Sequence, residues 1–556
     1  MSVQNKIRVI SLFALLLGLA SCGQGPGSGA KVLHNGIELP QQWPPRYDVA
    51  PARKEMPVPY LKQKPSVISV NVGRQLFVDD FLVAESNMET IFHTPDYYRL
   101  NPVLEPSEKW EETIEGAPYA APFSDGVWYD EIDGKFKMWY LAGAGMLHKE
   151  DKQTFCTAYA ESLDGKKWEK VICDVVPNTN IVDSENRDAA TVWLDKQETD
   201  LSKRYKLFNV ERRPTDRRWQ FILKYSADGI HWSNGVAQSG DLYDRSSVFY
   251  NPFRKVWCLS MRYGTELSSR SRSYLEAADP ETAVSMAHRI RKGVQDKNVV
   301  YWFSPDDKEP VNPDFPEVAP GIYNFDCMPY ESIMLGQYSV WQGPENHICA
   351  ELGIQKKNEI CLGYSRDGFH FSRPSHEPFM ANDQSEGAWN WGNMQSVGGV
   401  PLVVGDSLYF YASGRRLNKI MWDSYTSTGL AMLRRDGFVS KHAGTEGAQL
   451  TTEVLTFDGS FLFVNAEIRG SLRIDLLTPE GKVMTSFGSG PVNSTKLYLG
   501  NVGKYKGKQV RLRFSASDCD IYSFWISPWQ TGESRGYMAG GGPGLSPTGI
   551  DVPNLL

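Results

Sequence analysis

Charged residues stand immediately ahead of several apolar, strand-forming runs in this sequence. Glu115-Gly116-Ala117-Pro118 precedes Tyr119-Ala120-Ala121-Pro122-Phe123, and Asn186-Arg187-Asp188 precedes Ala189-Ala190-Thr191-Val192-Trp193. Asp244-Arg245 leads into Ser246-Ser247-Val248-Phe249, and Asp326 into Cys327-Met328-Pro329-Tyr330-Glu331. The fifth run, Ser396-Val397, follows Trp389-Asn390-Trp391-Gly392-Asn393-Met394-Gln395. A single Asp in such a place is a strand cap. Four carboxylate-bearing openings brought to one point would suit cleavage of a glycosidic bond, where one acid protonates the leaving oxygen and a second carboxylate serves as base or nucleophile. A third would hold the acid's pKa up by like-charge repulsion. The expected catalytic set is therefore Asp188, Glu115, Asp244, Asp326 and Glu331, with Asp188 foremost as transition-state stabiliser or base and the two glutamates competing as general acid. Arg187 and Arg245 would orient hydroxyls or acidic groups, Trp389 or Trp391 would stack on a ring face, and Asn393 and Gln395 complete the substrate-binding set.

An internal repeat supplies a scaffold that could bring these openings together. Ser-x-Asp-Gly followed by an aromatic occurs at Ser162–Trp168, Ser226–Trp232 and Ser365–Phe371, with weaker copies at Phe303–Asp307 and Leu433–Ser440. The aspartates are 164, 228, 306, 367 and 436, so the spacing is that of a strand-turn-strand unit repeated in a radial or stacked array. Asp-Gly makes a tight turn, and the flanking aromatics are strand formers that pack between sheets. Middle strands show at Phe136–Leu141, Tyr205–Asn209, Val256–Leu259, Tyr338–Trp341 and Leu408–Tyr411. The pattern predicts an all-β, five-bladed propeller over residues 71–440. In a propeller the inner strands start at one mouth of the central channel. Shorter alternating runs over 441–535 predict a small C-terminal β-sandwich. Residues 23–70 read as a tether and a Pro-rich segment over the outside of the first domain, with Arg74–Phe81 adding a strand to a blade. Residues 536–556, with Gly540-Gly541-Gly542, read as a flexible tail.

Composition narrows the partners. The net charge of −7 and the absence of a basic run argue against nucleic acid. Lys6 and Arg8 followed by an apolar stretch from Val9 to Ala20 form a signal-peptide pattern too short to span a bilayer. Leu19-Ala20-Ser21-Cys22 resembles the lipobox of bacterial lipoproteins, and Gly23 is similar to those released to the outer membrane. The resemblance implies a lipoprotein signal peptide over residues 1–22, lipid attachment at Cys22, and an outer-membrane lipoprotein facing the periplasm or the exterior. The other seven cysteines lack the spacing of a zinc site. No cofactor is expected: the nine histidines form no metal motif, and a channel calcium would be compatible with such a mouth but is unmarked.

A five-bladed propeller with carboxylates at its inner-strand openings resembles the glycoside hydrolases of families 32, 43, 62, 68 and 117. Asn186-Arg187-Asp188 is similar to the Arg-Asp-Pro signature of families 32 and 68, with Ala189 in place of the Pro. That likeness implies a transition-state-stabilising role for Asp188. Glu115-Gly116 resembles the Glu-Gly of the family 43 general acid, although there it lies in blade three. The Asn-Asp-Pro-Asn nucleophile motif of invertases is missing. The expected function is an exo-acting glycosidase trimming oligosaccharides from plant or algal polysaccharide. Two other readings remain: a glycan-binding lipoprotein using the same mouth, and a sialidase with Tyr330-Glu331 as its nucleophile pair.

Overall fold

The computed structural model describes residues 31–47, 54–149, 154–264, 270–290, 296–395, 401–416 and 425–554. The chain is all-β: five antiparallel blades form a propeller, and a nine-stranded sheet forms the β-sandwich beside it. Blade one is built from Ala120–Ala121, Lys135–Gly143, Phe155–Ser162 and Glu169–Lys170. Blade two runs Arg187–Leu194, Tyr205–Arg212, Trp219–Ser226 and Ala237–Gln238, and blade three Ser247–Asn251, Val256–Tyr263, Ser271–Ala277 and Val300–Phe303. Blade four has Gly321–Glu331, Ile333–Trp341 and Asn358–Ser365, and blade five Gly392–Gln395, Ser407–Arg415 and Thr426–Arg434. The expected middle strands all fall in the second strand of a blade.

Three copies of the repeat make the same turn at the end of a blade's third strand. In each, the first Asp oxygen accepts two successive backbone N–H groups, as Asp164 does from Lys166 and Lys167 at 2.8 Å. The Ser hydroxyl accepts the Gly N–H at 2.8–2.9 Å, and the glycines take the positive φ such a turn needs. The turns also join neighbouring blades. Trp139 of blade one donates its indole N–H to Gly229 O of blade two at 2.7 Å, and Trp302 of blade three donates to Phe369 O of blade four at 2.8 Å. Tyr411 of blade five reaches Gly165 O of blade one at 2.6 Å. The two weaker copies do otherwise. Asp306 follows the outer strand of blade three and pairs with His376 and Arg373, while Asp436 sits where the chain leaves blade five for Val439–Ala443 of the sandwich.

The ring is closed by chain from outside it. Asp96–Tyr97 pairs with Thr426–Arg434 as the outer strand of blade five. Gln75–Leu76, expected in a blade, instead pairs with Phe524 and Ser523 of the sandwich, because Phe77 packs into that domain's aromatic core against Phe514 and Phe524. The sandwich therefore gathers strands from both sides of the propeller, including Val83–Ser86 and Glu89–Phe92. Its two 17-residue strands, Phe461–Leu477 and Arg511–Ser527, each unite runs that read as separate in the sequence. Arg74 pins the domains together. It is 1% exposed, donates to Asp436 at 3.0 Å and lies 4.1 Å over Trp525.

Residues 31–47 and 54–70 pack over the sandwich core through Leu33, Ile37, Leu39 and Ile68, and reach blade four through Tyr47 and Tyr60. The C-terminal segment, expected to be a flexible tail, is hydrogen-bonded into the ring. Tyr537–Met538 pairs with Glu331 and Tyr330 of blade four, Gly541 O accepts from Val403 N of blade five, and Gly540 O accepts from Tyr129 N of blade one. Its glycines permit that approach: a Cβ on Gly542 would stand 1.7 Å from Val403 O. Met538 and Ala539 face Trp128, Trp193 and Met328, so the segment covers the far end of the channel.

A Cβ on Gly229 would lie 2.4 Å from Trp139, whereas one on Gly405, also at positive φ, meets nothing within 4 Å. Urea unfolding should show Gly229→Ala losing about 2–4 kcal/mol and Gly405→Ala only about 1 kcal/mol of backbone strain. Equal losses would contradict a stitching role for the turn.

Candidate active site

Blades two and three present carboxylates at the mouth. Arg187–Leu194 is bulged between Arg187 and Ala190, which re-aims Asp188 at the strand's start. Arg245, at φ +51°, precedes Ser247–Asn251; its backbone N–H donates to Asp188 Oδ2 at 3.1 Å and its Nε lies 3.3 Å from the same oxygen. Asp244 is paired with Arg262. The Asp188 and Asp244 side chains keep 17% and 28% of their surface exposed, so both can meet a ligand while held by arginines. Burial pushes the Asp244 carboxyl upward, but Arg262, Arg270 and Arg245 outweigh it and hold it below the usual range. Asp244 is thus unprotonated at neutral pH, as a base or nucleophile must be. Beneath this layer Arg187 is 1% exposed and turned onto Asp125, whose carboxyl burial drives up to about 7 even with Arg187 against it. Arg187 therefore positions the neighbouring backbone and does not face the mouth.

Blades three to five present cations. Tyr323, near the start of Gly321–Glu331, is 6% exposed and surrounded by three of them. Arg270 lies 4.2 Å over its ring, Arg245 5.9 Å from the ring centre, and Lys356 Nζ 3.4 Å from its hydroxyl. Burial pushes the phenol up, yet Lys356, Arg270 and Arg245 together bring it down to about 7. Lys356 is itself lowered by burial. Its carbonyl accepts the backbone N–H of Asn393, whose amide oxygen, turned toward Arg415, accepts from Nη1 at 2.9 Å. Asn393 and Gln395 are 1% and 2% exposed, so they brace Arg415 from within blade five. Arg415 also lies 5.3 Å from the ring centre of Tyr119, beside the inner strand of blade one.

Other expected site residues are placed elsewhere. The inner strand of blade four starts at Gly321, so Asp326 lies within it, buried and bonded to Ser124 and Asn324. Glu331 stands eight residues along from Tyr323, roughly 26 Å toward the far end. There it is 0% exposed and held by Ser534 at 2.6 Å and by Arg435 and Arg74; it is a clamp between domains, not a general acid. Tyr330 beside it donates to Asp436, which removes Tyr330-Glu331 as a nucleophile pair at the mouth. Trp389 is blade-five core: Gly414 and Gly429 lie against its ring so closely that a Cβ on Gly429 would be 2.1 Å away. Trp391 is half-buried, and Glu115 lies on the exposed turn preceding blade one's inner strand. Cys22 and Ser396-Val397 fall outside the described residues. Asp306, Glu309 and His376 form a group with metal-ligand spacing, but the Arg373 guanidinium is paired with both carboxylates and supplies the positive charge there.

Sequence reasoning missed Tyr323, Lys356, Arg262, Arg270 and Arg415. The one signal available was that the apolar run of blade four extends back to Gly321. Among 26 tyrosines, Tyr323 should ionise near pH 7 in an absorbance titration at 295 nm, and Tyr323→Phe should remove that step. Ionisation of every tyrosine above about pH 9 would contradict the cation cage.

No family model and no curated protein matches the chain. Among solved structures, a glycosyl hydrolase from Bacteroides ovatus aligns with 65% of this chain and 96% of its own at 12% identity and a TM-score of 0.38. A fructofuranosidase from Schwanniomyces occidentalis complexed with fructose aligns with 78% of this chain and 97% of its own, at 10% identity and 0.36. A third structure, described with glycoside hydrolases that target β-1,2 mannosidic linkages in Candida mannan, covers 65% and 96% at 13% identity and 0.38. Similarity at this level does not carry the neighbours' activities to this chain.

Proposed function

We propose that the chain is a glycoside hydrolase acting at the propeller mouth. The observation that carries this reading is the pair of partly exposed carboxylates, Asp188 and Asp244, fixed by Arg245 and Arg262 on adjacent blade openings. In this reading Asp188 offsets the positive charge that develops on the sugar ring, and Asp244 activates a water or attacks the anomeric carbon. The leaving oxygen takes its proton from Glu115, whose turn stands on the mouth side of blade one, or from the Tyr323 phenol. Residues 537–541 cover the far end of the channel, which supports exo-action, since a glycan can enter the mouth but not thread through. The chain would reach its substrates, plant or algal oligosaccharides, as an outer-membrane lipoprotein acylated at Cys22.

A panel of plant and algal oligosaccharides, read by released monosaccharide, tests the reading with the protein lacking residues 1–22. Asp188→Asn should lower kcat/KM by roughly a thousandfold or more with an unchanged melting temperature. Glu331→Gln should lower the melting temperature while leaving turnover per folded molecule intact. Full activity of Asp188→Asn would sink the assignment, and glycan binding without release by the wild type would favour a non-catalytic binding protein.

A further inference from the structure

Among the described residues, two cations at the mouth have no carboxylate partner. Arg245 and Arg262 are answered by Asp188 and Asp244. Lys356 and Arg415 are not: 6% and 8% exposed respectively, they form no ion pair with any described carboxylate. The Lys356 ammonium has the Tyr323 hydroxyl at 3.4 Å as its polar partner, and Arg415 is engaged by a neutral amide and an aromatic ring. A buried charge that no carboxylate balances costs several kcal/mol, and the Tyr323 phenol, half-ionised near neutrality, offsets the two only in part, so the excess positive charge calls for an occupant. Net composition does not explain them, since the chain as a whole carries −7. The surrounding field is positive enough to draw the Tyr323 phenol down against its burial, and Arg270 and Arg415 add to the burial that lowers Lys356. Acid and base are also segregated around the ring. The arginine-held carboxylates Asp188 and Asp244 stand on blades two and three, and the cations without a described carboxylate partner on blades four and five.

We propose that the sugar substrate carries an oxyanion, a carboxylate or a sulfate ester, seated by Lys356 and Arg415 while the bond to be cut faces Asp188 and Asp244. This rests on the glycosidase reading and names its substrate class. Carboxylate and sulfate offer the same recognition chemistry, acceptor oxygens bearing delocalised negative charge.

The test is calorimetric binding of matched oligosaccharides, neutral, uronate-terminated and sulfated, to wild type, Lys356→Met and Asp188→Asn, with release of sugar followed in parallel. Wild type should bind one charged form at least tenfold more tightly than the neutral one, and the form preferred identifies the oxyanion. Lys356→Met should bring that ratio close to one, while Asp188→Asn should retain it. The Met variant exchanges a buried charge that no described carboxylate pairs for an apolar chain of similar length, so its melting temperature should hold or rise, separating lost binding from lost fold. Equal binding of neutral and charged sugars by wild type, or a preference that survives Lys356→Met, would overturn the proposal. So would thermal protection by inorganic sulfate that depends on Lys356 without any preference among the sugars, because the seat would then belong to a free anion. A charge preference without release in any sample would keep the seat and remove the hydrolase; release from neutral sugars alone would do the reverse.

Discussion

The structure depends on holding five inner strands at a common height around one channel, and interblade hydrogen bonds help fix that height. The Asp-Gly turn that ends a third strand presents a carbonyl to the neighbouring blade, where Trp139, Trp302 or Tyr411 donates to it. At Gly165 and Gly229 the glycine is required twice over, for its positive φ and for the absence of a Cβ where the donor side chain lies. With blades stitched in this way, the openings of successive inner strands meet on one side, and Asp188 of blade two comes within hydrogen-bonding reach of Arg245 of blade three. Closure is completed by Asp96–Tyr97 on blade five and by residues 537–541 across the opposite face. Among the described residues, the inner-strand openings stand at the end that residues 537–541 leave uncovered.

Electrostatics at that end is polarised. Asp188 and Asp244 each have an arginine from their own or the next blade, which fixes the carboxylate's direction, and at Asp244 the arginines also hold the carboxyl below its usual range. The other flank concentrates charge of one sign around Tyr323, where low solvent access strengthens every interaction. A phenol brought down to about 7 is one result. A proton donor or acceptor near neutrality, an unprotonated Asp244 and two unanswered cations are the elements from which a specific hydrolase for a charged sugar can be made.

The repeat made the propeller legible, because Ser-x-Asp-Gly keeps its chemistry wherever the turn occurs. The openings of blades two and three were legible for a related reason: Asn186-Arg187-Asp188 and Asp244-Arg245 are polar groups set directly before apolar runs. Blade four hid its opening. Gly321–Glu331 is buried along both faces, so no alternation marks its start, and Asp326 stood out as the only carboxylate near the expected boundary. Trp389 could not be told from a stacking platform without knowing that Gly414 and Gly429 of the same blade lie against its ring. The Gly-rich C-terminal segment reads as disorder by composition, yet its glycines are what let backbone meet backbone at Val403. Lys356 lies in an unremarkable Gln-Lys-Lys-Asn stretch and gains its meaning only from the ring that surrounds it. Residues 114–116, by contrast, form an exposed turn, so burial does not single out Glu115.

The most direct measurement is a crystal structure of the Asp188→Asn protein with a charged oligosaccharide bound. The account predicts the terminal sugar at the propeller mouth, with its anomeric carbon facing the new amide at position 188 and the Asp244 carboxylate, and its oxyanion within hydrogen-bonding distance of Lys356 Nζ. Density for the sugar on the sandwich, or at the mouth with its charge turned away from Lys356 and Arg415, would contradict it.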